Sequence, residues 1–281
     1  MLPLLLFLAG SLSLCTSCRK AELDETVSPV ELDSFEPEAS PETAAPEVHR
    51  LRTHIVAKYP HRRDAFTQGL LWHDGFLYES TGQYGQSSLR KVRLKDGKVL
   101  ALEPLEPRIF GEGLALVGDS LIQLSWRSGK ALRWDLENLE HEDTLSYSGE
   151  GWGACFDGDA LVTSDGSAQL KFRDPQTLEV RRKVDVRKNG RAIYRLNELE
   201  CVGSEVYANV WQKNEIVRID AKTGRVTASI DASGLLSRSD AAGTDVLNGI
   251  AFVPETGHFL LTGKLWPYLF EVDFVPLEEA D

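Results

Sequence analysis

The chain has 281 residues, 42% of them hydrophobic, and a formal net charge of −12 from 31 Lys and Arg against 43 Asp and Glu. That is enough chain for one large domain or two small ones around a sizeable core. An acidic chain without a clustered Lys/Arg face is a poor match for nucleic acid, where phosphate neutralisation supplies most non-specific affinity, and no apolar run reaches the roughly 18–20 residues of a membrane span.

Residues 1–18 read as an export signal. The apolar stretch Leu2 to Leu14 is too short to span and ends at Cys15 and Cys18, although it lacks a basic leading region. Thr16 and Ser17 before Cys18 resemble a bacterial lipoprotein cleavage site, with Cys15 standing where an aliphatic residue is usual. The expectation is an exported protein, periplasmic or extracellular, with Cys18 as the candidate lipid anchor. Residues 19–48 read as a disordered acidic linker. Nine carboxylates and Pro29, Pro37, Pro41 and Pro46 fall between 21 and 48 without one Lys or Arg, and such a segment cannot bury enough apolar surface to offset its chain entropy. Residues 49–281 form the expected folded domain.

From residue 66 a pattern recurs five times. Each copy opens on a short apolar run after a small or polar residue: Gln68-Gly69-Leu70, Glu112-Gly113-Leu114, Trp152-Gly153-Ala154, Glu198-Leu199-Glu200 and Asn248-Gly249-Ile250, at steps of 44, 40, 46 and 50 residues. Second runs follow turn residues at Phe76–Ser80, Ser120–Trp126, Ala160–Ser164, Glu205–Trp211 and His258–Gly263. Third runs alternate like half-buried strands, and a fourth follows in each copy but the last. Four-stranded units at this spacing predict an all-β, five-bladed β-propeller. The fifth copy has three strands, and Leu51–Tyr59, a strand upstream of the first copy, would complete it and close the ring.

That geometry predicts a site. The start of each innermost strand and the end of the strand beside it share one end of the central channel. The first set gives Gln68, Glu112, Trp152, Asn197 or Glu198, and Asn248; the second gives Thr81, Trp126, Asp165, Trp211 and Lys264. An aromatic-lined mouth with a few polar groups is the usual form of a small-ligand site. Cys155 and Cys201 could pair, but two cysteines are no disulfide framework, and two buried thiols are the favoured reading.

The strings Phe66-Thr67-Gln68-Gly69-Leu70, Phe110-Gly111-Glu112-Gly113-Leu114, Leu196-Asn197-Glu198-Leu199-Glu200, Ala208-Asn209-Val210-Trp211 and Leu261-Thr262-Gly263-Lys264-Leu265-Trp266-Pro267 resemble those of the plant and bacterial glutaminyl-peptide cyclotransferases, over roughly 60–274. The resemblance implies a five-bladed propeller that converts the N-terminal glutamine of peptides and proteins to pyroglutamate with release of ammonia. It places the catalytic carboxylate on Glu112 and the pocket on Phe66, Gln68, Phe110, Trp126, Trp152, Asn197, Trp211 and Lys264.

The chemistry agrees with those residue types. Nucleophile and electrophile are tethered in one residue, so the task is positioning and proton transfer. A carboxylate desolvated among aromatics has its pKa raised toward neutrality and can serve as a proton shuttle. The indoles of Trp126, Trp152 or Trp211 and the amides of Gln68 and Asn197 could hold the substrate carbonyl, and Lys264 could bind that oxygen or orient Glu112. None of the six His has zinc-ligand spacing, so neither cofactor nor metal is expected. Two alternatives stand beside this reading. One is a calcium-dependent propeller hydrolase using Glu112, Asn197 and Asn248. The other is a non-catalytic exported propeller scaffold. A closed ring with an acidic surface predicts a monomer, with membrane contact only through a lipid anchor.

Overall fold

The computed structural model describes residues 47–277; the expected signal, Cys18 and nearly all of the acidic linker lie outside them. Strand β1 (His49–Pro60) leads into the first four-stranded unit, β2 (Thr67–His73), β3 (Phe76–Thr81), β4 (Ser88–Arg93) and β5 (Lys98–Pro104). The second is β6 (Gly111–Val117), β7 (Ser120–Ser125), β8 (Lys130–Asp135) and β9 (His141–Ser146). The third is β10 (Ala154–Phe156), β11 (Leu161–Thr163), β12 (Gln169–Arg173) and β13 (Val180–Asp185). A small hairpin, β14 (Arg187–Lys188) with β15 (Arg191–Ala192), precedes the fourth unit. That unit is β16 (Leu196–Val202), β17 (Glu205–Val210), β18 (Glu215–Asp220) and β19 (Val226–Asp231). The last strands are β20 (Leu247–Val253), β21 (His258–Gly263) and β22 (Tyr268–Pro276).

Within each unit the strands pair antiparallel in sequence order, as the short turns between them require. Burial grades outward. Strand β6 is buried over most of its length, β5 alternates, and β9 is nearly all exposed. The inner strands therefore read as continuous apolar runs and the outer ones as alternating or polar. As expected, β1 completes the last unit, pairing antiparallel with β22 from Leu51↔Pro276 to Pro60↔Tyr268. The structure adds two features the sequence reading lacked. One is the β14–β15 hairpin. The other is a parallel pairing of His49–Arg52 with Ala228–Asp231 of β19, which joins the fourth and fifth units into one eight-stranded sheet.

The inner strands meet in a cycle. Strand β2 touches β6 and β20, β10 touches β6 and β16, and β16 touches β20. This is consistent with a five-bladed propeller. Glycines allow the close approach. A Cβ at Gly69 would lie 2.5 Å from the Leu114 nitrogen, and one at Gly113 would lie 2.5 Å from the Gly153 carbonyl carbon.

One expectation is corrected. Cys155 of β10 and Cys201 of β16 form a disulfide that ties the inner strands of the third and fourth units. Two cysteines 46 residues apart carry no pairing signal on their own; the adjacency of β10 and β16 in the ring brings their Cα atoms to 5.5 Å. Closing a loop of that length stabilises the fold by about 4 kcal/mol in the chain-entropy account. The double variant Cys155→Ala/Cys201→Ala is therefore expected to unfold at a clearly lower urea concentration, and an unchanged midpoint would contradict that role for the disulfide.

Candidate active site

The functional side chains sit where the inner strands begin, and there the ladders break register. Shifts fall between Thr67 and Gly69, Gly111 and Leu114, Leu196 and Leu199, and Leu247 and Ile250. The residues inside these bulges are Gln68, Glu112, Gly113, Asn197, Glu198, Asn248 and Gly249. A bulge re-aims side chains relative to the regular alternation, which is how consecutive positions such as Asn197 and Glu198 both come to be buried.

A cavity of about 420 Å³ opens at this end, and all nine residues singled out from the sequence line it: Phe66, Gln68, Phe110, Glu112, Trp126, Trp152, Asn197, Trp211 and Lys264. Its wall is an aromatic arc. Phe66 meets Phe110 edge-on at 6.2 Å, Phe110 meets Trp126 at 5.6 Å, and Trp152 meets Trp211 at 5.6 Å. Between Trp126 and Trp152 stands Glu150, whose Oε2 accepts both indole N–H groups, at 2.9 and 3.0 Å. Gln83, Gln212, Asp245 and Val246 complete the lining. The sequence reading missed these four and Glu150. Gln83 and Gln212 have left-handed backbone, φ 89° and 66°, a conformation that costs energy for a non-glycine residue and recurs at functional sites; nothing in the sequence marks them.

Glu112 is 4% exposed. Gln68 Nε2 donates to its Oε1 at 3.0 Å, and Asn248 Nδ2 donates to Gln68 Oε1 at 3.3 Å and to the Thr67 carbonyl at 3.0 Å. The chain Asn248–Gln68–Glu112 fixes the carboxyl. Burial pushes its pKa well above the ordinary carboxylate range; Lys264 opposes this and Glu150 adds to it. Lys264 is 5% exposed, with Nζ 4.8 Å from the centre of the Phe66 ring. Burial pushes its pKa down, against the pull of Glu112 and Asp245. Both groups are thus driven toward their neutral forms.

Asn197 Oδ1 is buried without a hydrogen-bond partner, an acceptor in the cavity wall suited to a donor from a ligand. The indoles divide. Those of Trp126 and Trp152 are held by Glu150, so the sequence expectation that any of the three could receive a carbonyl narrows to Trp211, whose N–H meets no acceptor among the described residues. Gln68 is likewise engaged at both ends of its amide, which makes it chiefly the support of Glu112.

Other expected rim residues do not line the cavity. Asp165 pairs with Lys171 at 2.6 Å, and Thr81 bonds Ser88. Glu198 accepts the N–H groups of Leu70 at 3.3 Å and Ile250 at 2.8 Å, so it pins β2 and β20 two residues beyond Gln68 and Asn248. Glu200 accepts from the Phe252 N–H, and burial pushes its pKa up to about 8. Trp134 packs in the core, while Trp72 is half-buried and donates to Glu255 at 3.2 Å.

The Lys264 loop is braced by a buried ion pair. His61 Nδ1 faces the Trp266 carbonyl at 2.8 Å and Nε2 faces Glu79 Oε1 at 2.9 Å. Both partners are acceptors, so both nitrogens donate and the ring is an imidazolium. Burial alone would lower the His61 pKa, but the Glu79 carboxylate outweighs it and the net shift is upward. Leu265, at φ 62°, donates its N–H to the Ala65 carbonyl at 2.7 Å, which turns Lys264 into the cavity.

The comparisons with known proteins agree with this geometry. A family model described as Glutamine cyclotransferase matches residues 30–274. A glutaminyl-peptide cyclotransferase of Arabidopsis thaliana is 46% identical over 230 residues, which is 80% of this chain and 72% of that protein. The crystal structure of Myxococcus xanthus glutaminyl cyclase aligns with a TM-score of 0.77 at 41% identity, covering 83% of this chain and 100% of that one.

Proposed function

Because the chain belongs to the glutamine cyclotransferase family, we propose that this cavity is where it cyclises the N-terminal glutamine of peptides and proteins, on a five-bladed propeller and without a metal. The observation that carries the assignment is a single buried carboxyl, Glu112, held by Gln68 inside an aromatic wall and sharing its cavity with Lys264.

In the reaction the α-amine nitrogen attacks the side-chain amide carbon of the same residue, and the bond from that carbon to the amide nitrogen breaks. Glu112 takes one proton from the amine and gives one to the departing nitrogen, which leaves as ammonia. One carboxylate serves both transfers because the two nitrogens occupy the same small space in turn. The aromatic arc folds the glutamine side chain back on its own amine, a task of positioning. Trp211 N–H and Lys264 supply donors where negative charge gathers on the amide oxygen. Asn197 Oδ1 accepts from the substrate amine or amide.

A hard cation fits this cavity poorly. Glu112 Oε1 already accepts from an amide donor, Asn197 and Asn248 would add only neutral amide oxygens, and a lysine lines the same cavity. Ammonia release from a short peptide beginning with Gln is therefore expected to be unchanged in EDTA. Activity lost to EDTA and restored by calcium would give the site to a metal, and binding without turnover would favour the scaffold. The chain is also read as exported, with the segment up to Cys18 as its signal and Cys18 as a candidate anchor. The Cys155–Cys201 disulfide supports that reading, since disulfides persist in oxidising compartments.

A further inference from the structure

Glu150 belongs to none of the motifs that carry the family resemblance, yet it is the most heavily bonded carboxylate at the mouth. Its Oε2 accepts from Trp126 Nε1 and Trp152 Nε1, and its Oε1 accepts from Arg127 Nε at 2.8 Å. The Arg127 guanidinium in turn lies 3.8 Å from the centre of the Trp126 ring. The backbone beneath is pinned, because Gly151 N–H donates to the Trp126 carbonyl at 3.0 Å and Tyr147 N–H to the Gly129 carbonyl at 2.9 Å. Trp126 follows β7 in the second unit and Trp152 precedes β10 in the third, so one side chain couples two blades at the cavity wall.

We propose that Glu150 is a positioning residue of the cyclisation site: its carboxylate locks the Trp126 and Trp152 indoles into the wall and takes up their N–H groups, leaving Trp211 as the indole donor that meets the substrate. The inference rests on the reading of this cavity as the site of cyclisation. The physical reason is directional. Indole N–H is a donor only, so two indoles facing one cavity would otherwise turn toward the substrate oxygen or toward water. One carboxylate oxygen holds both in charge-assisted bonds and fixes the ring planes, while Arg127 holds the other oxygen. An amide is a poor replacement, because with its oxygen on the two indoles its NH2 would face the Arg127 Nε donor, and the charge would be gone.

Glu150 also acts on Glu112 through space. The ionisable groups around Glu112 are Lys264, Glu150 and Tyr147, with Arg127 paired to Glu150 and Asp245 acting on Lys264. Burial lifts the Tyr147 hydroxyl to about 12, so it stays neutral. Glu150 is thus the nearby negative charge that helps hold the Glu112 pKa up, and its removal must lower it.

The test is kcat and KM for ammonia release against pH, in the unsubstituted protein, Glu150→Gln and Glu150→Asp, together with the indole N–H resonances of the six tryptophans. Glu150→Gln is expected to lose about tenfold to 10²-fold in kcat through misplacement of the wall, to move the acid limb of the profile to lower pH, and to shift the resonances of Trp126 and Trp152 while the others stay. Glu150→Asp, which keeps the charge but reaches less far, should restore the acid limb more than it restores kcat. It supplies the same comparison if Glu150→Gln does not fold. Parent-like kcat, KM and acid limb in the variants would overturn the inference alone. Silence of the unsubstituted protein would overturn the cyclase reading and this inference with it.

Discussion

Glu112→Gln is expected to lower kcat for ammonia release by about 10²–10⁴-fold, the range general acid–base catalysis contributes, with little change in fold or in substrate KM. The substitution is nearly isosteric. The amide oxygen it introduces can still accept from Gln68 Nε2, which now donates to Glu112 at 3.0 Å, so the bulge at Gly111 to Leu114 has no reason to rearrange. What disappears is the capacity to take a proton from one nitrogen and return it to the other. No second carboxylate stands ready. Glu198 is committed to the Leu70 and Ile250 N–H groups, Glu79 to His61 and Thr67, and Glu150 to two indoles and Arg127. Asp245 lines the cavity, but its Oδ1 accepts from the Val246 N–H at 2.6 Å. A variant that kept parent-like turnover would remove Glu112 from proton transfer and leave the cavity with positioning alone. Melting temperature measured beside activity separates this from simple destabilisation. Burying a carboxyl without a charged partner is costly, so Glu112→Gln should melt at or above the parent.

The architecture was legible because the sequence repeats one four-stranded unit. Five apolar openings at steps near 45 residues required five similar units, and the three-stranded last copy required a strand from elsewhere, which β1 supplies. The inner ring of site residues was legible for the same reason: the start of each inner strand has a fixed place relative to the channel. What stayed hidden depends on pairs of residues that meet only after the ring closes. The parallel contact of His49–Arg52 with β19 needs the fourth and fifth units side by side. The Cys155–Cys201 bond needs β10 beside β16. Glu150 lies in a connection rather than at a strand start, and its importance comes from two tryptophans of different units. Gln83 and Gln212 are set by backbone conformation, to which side-chain pattern is blind. The three indoles looked equivalent in the sequence; only the placement of Glu150 distinguishes Trp211 from the other two.

Lys264→Met is the sharper probe of how the cavity is charged, and two readouts should move together. Lys264 is the nearby cation that draws the Glu112 pKa down against burial. The sign follows directly. A cation favours the carboxylate, so replacing it with an apolar chain of similar length lets the Glu112 pKa rise further. Turnover begins with Glu112 as carboxylate accepting the amine proton, so the acid limb of kcat/KM should move to higher pH, opposite to Glu150→Gln. At neutral pH a smaller share of the enzyme would then be competent. The variant also loses a donor beside the substrate oxygen, which costs about 10²-fold in kcat where such a donor meets developing charge. The two losses separate by pH: the first is recovered on the alkaline plateau and the second is not. The fold should tolerate the change, because Lys264 makes its structural bonds through the backbone, to Val246 and Asp245, and its ammonium lies over the Phe66 face. A plateau equal to that of the parent would confine Lys264 to tuning Glu112. An unmoved acid limb with a depressed plateau would confine it to the substrate oxygen, and an unchanged profile would remove it from the reaction.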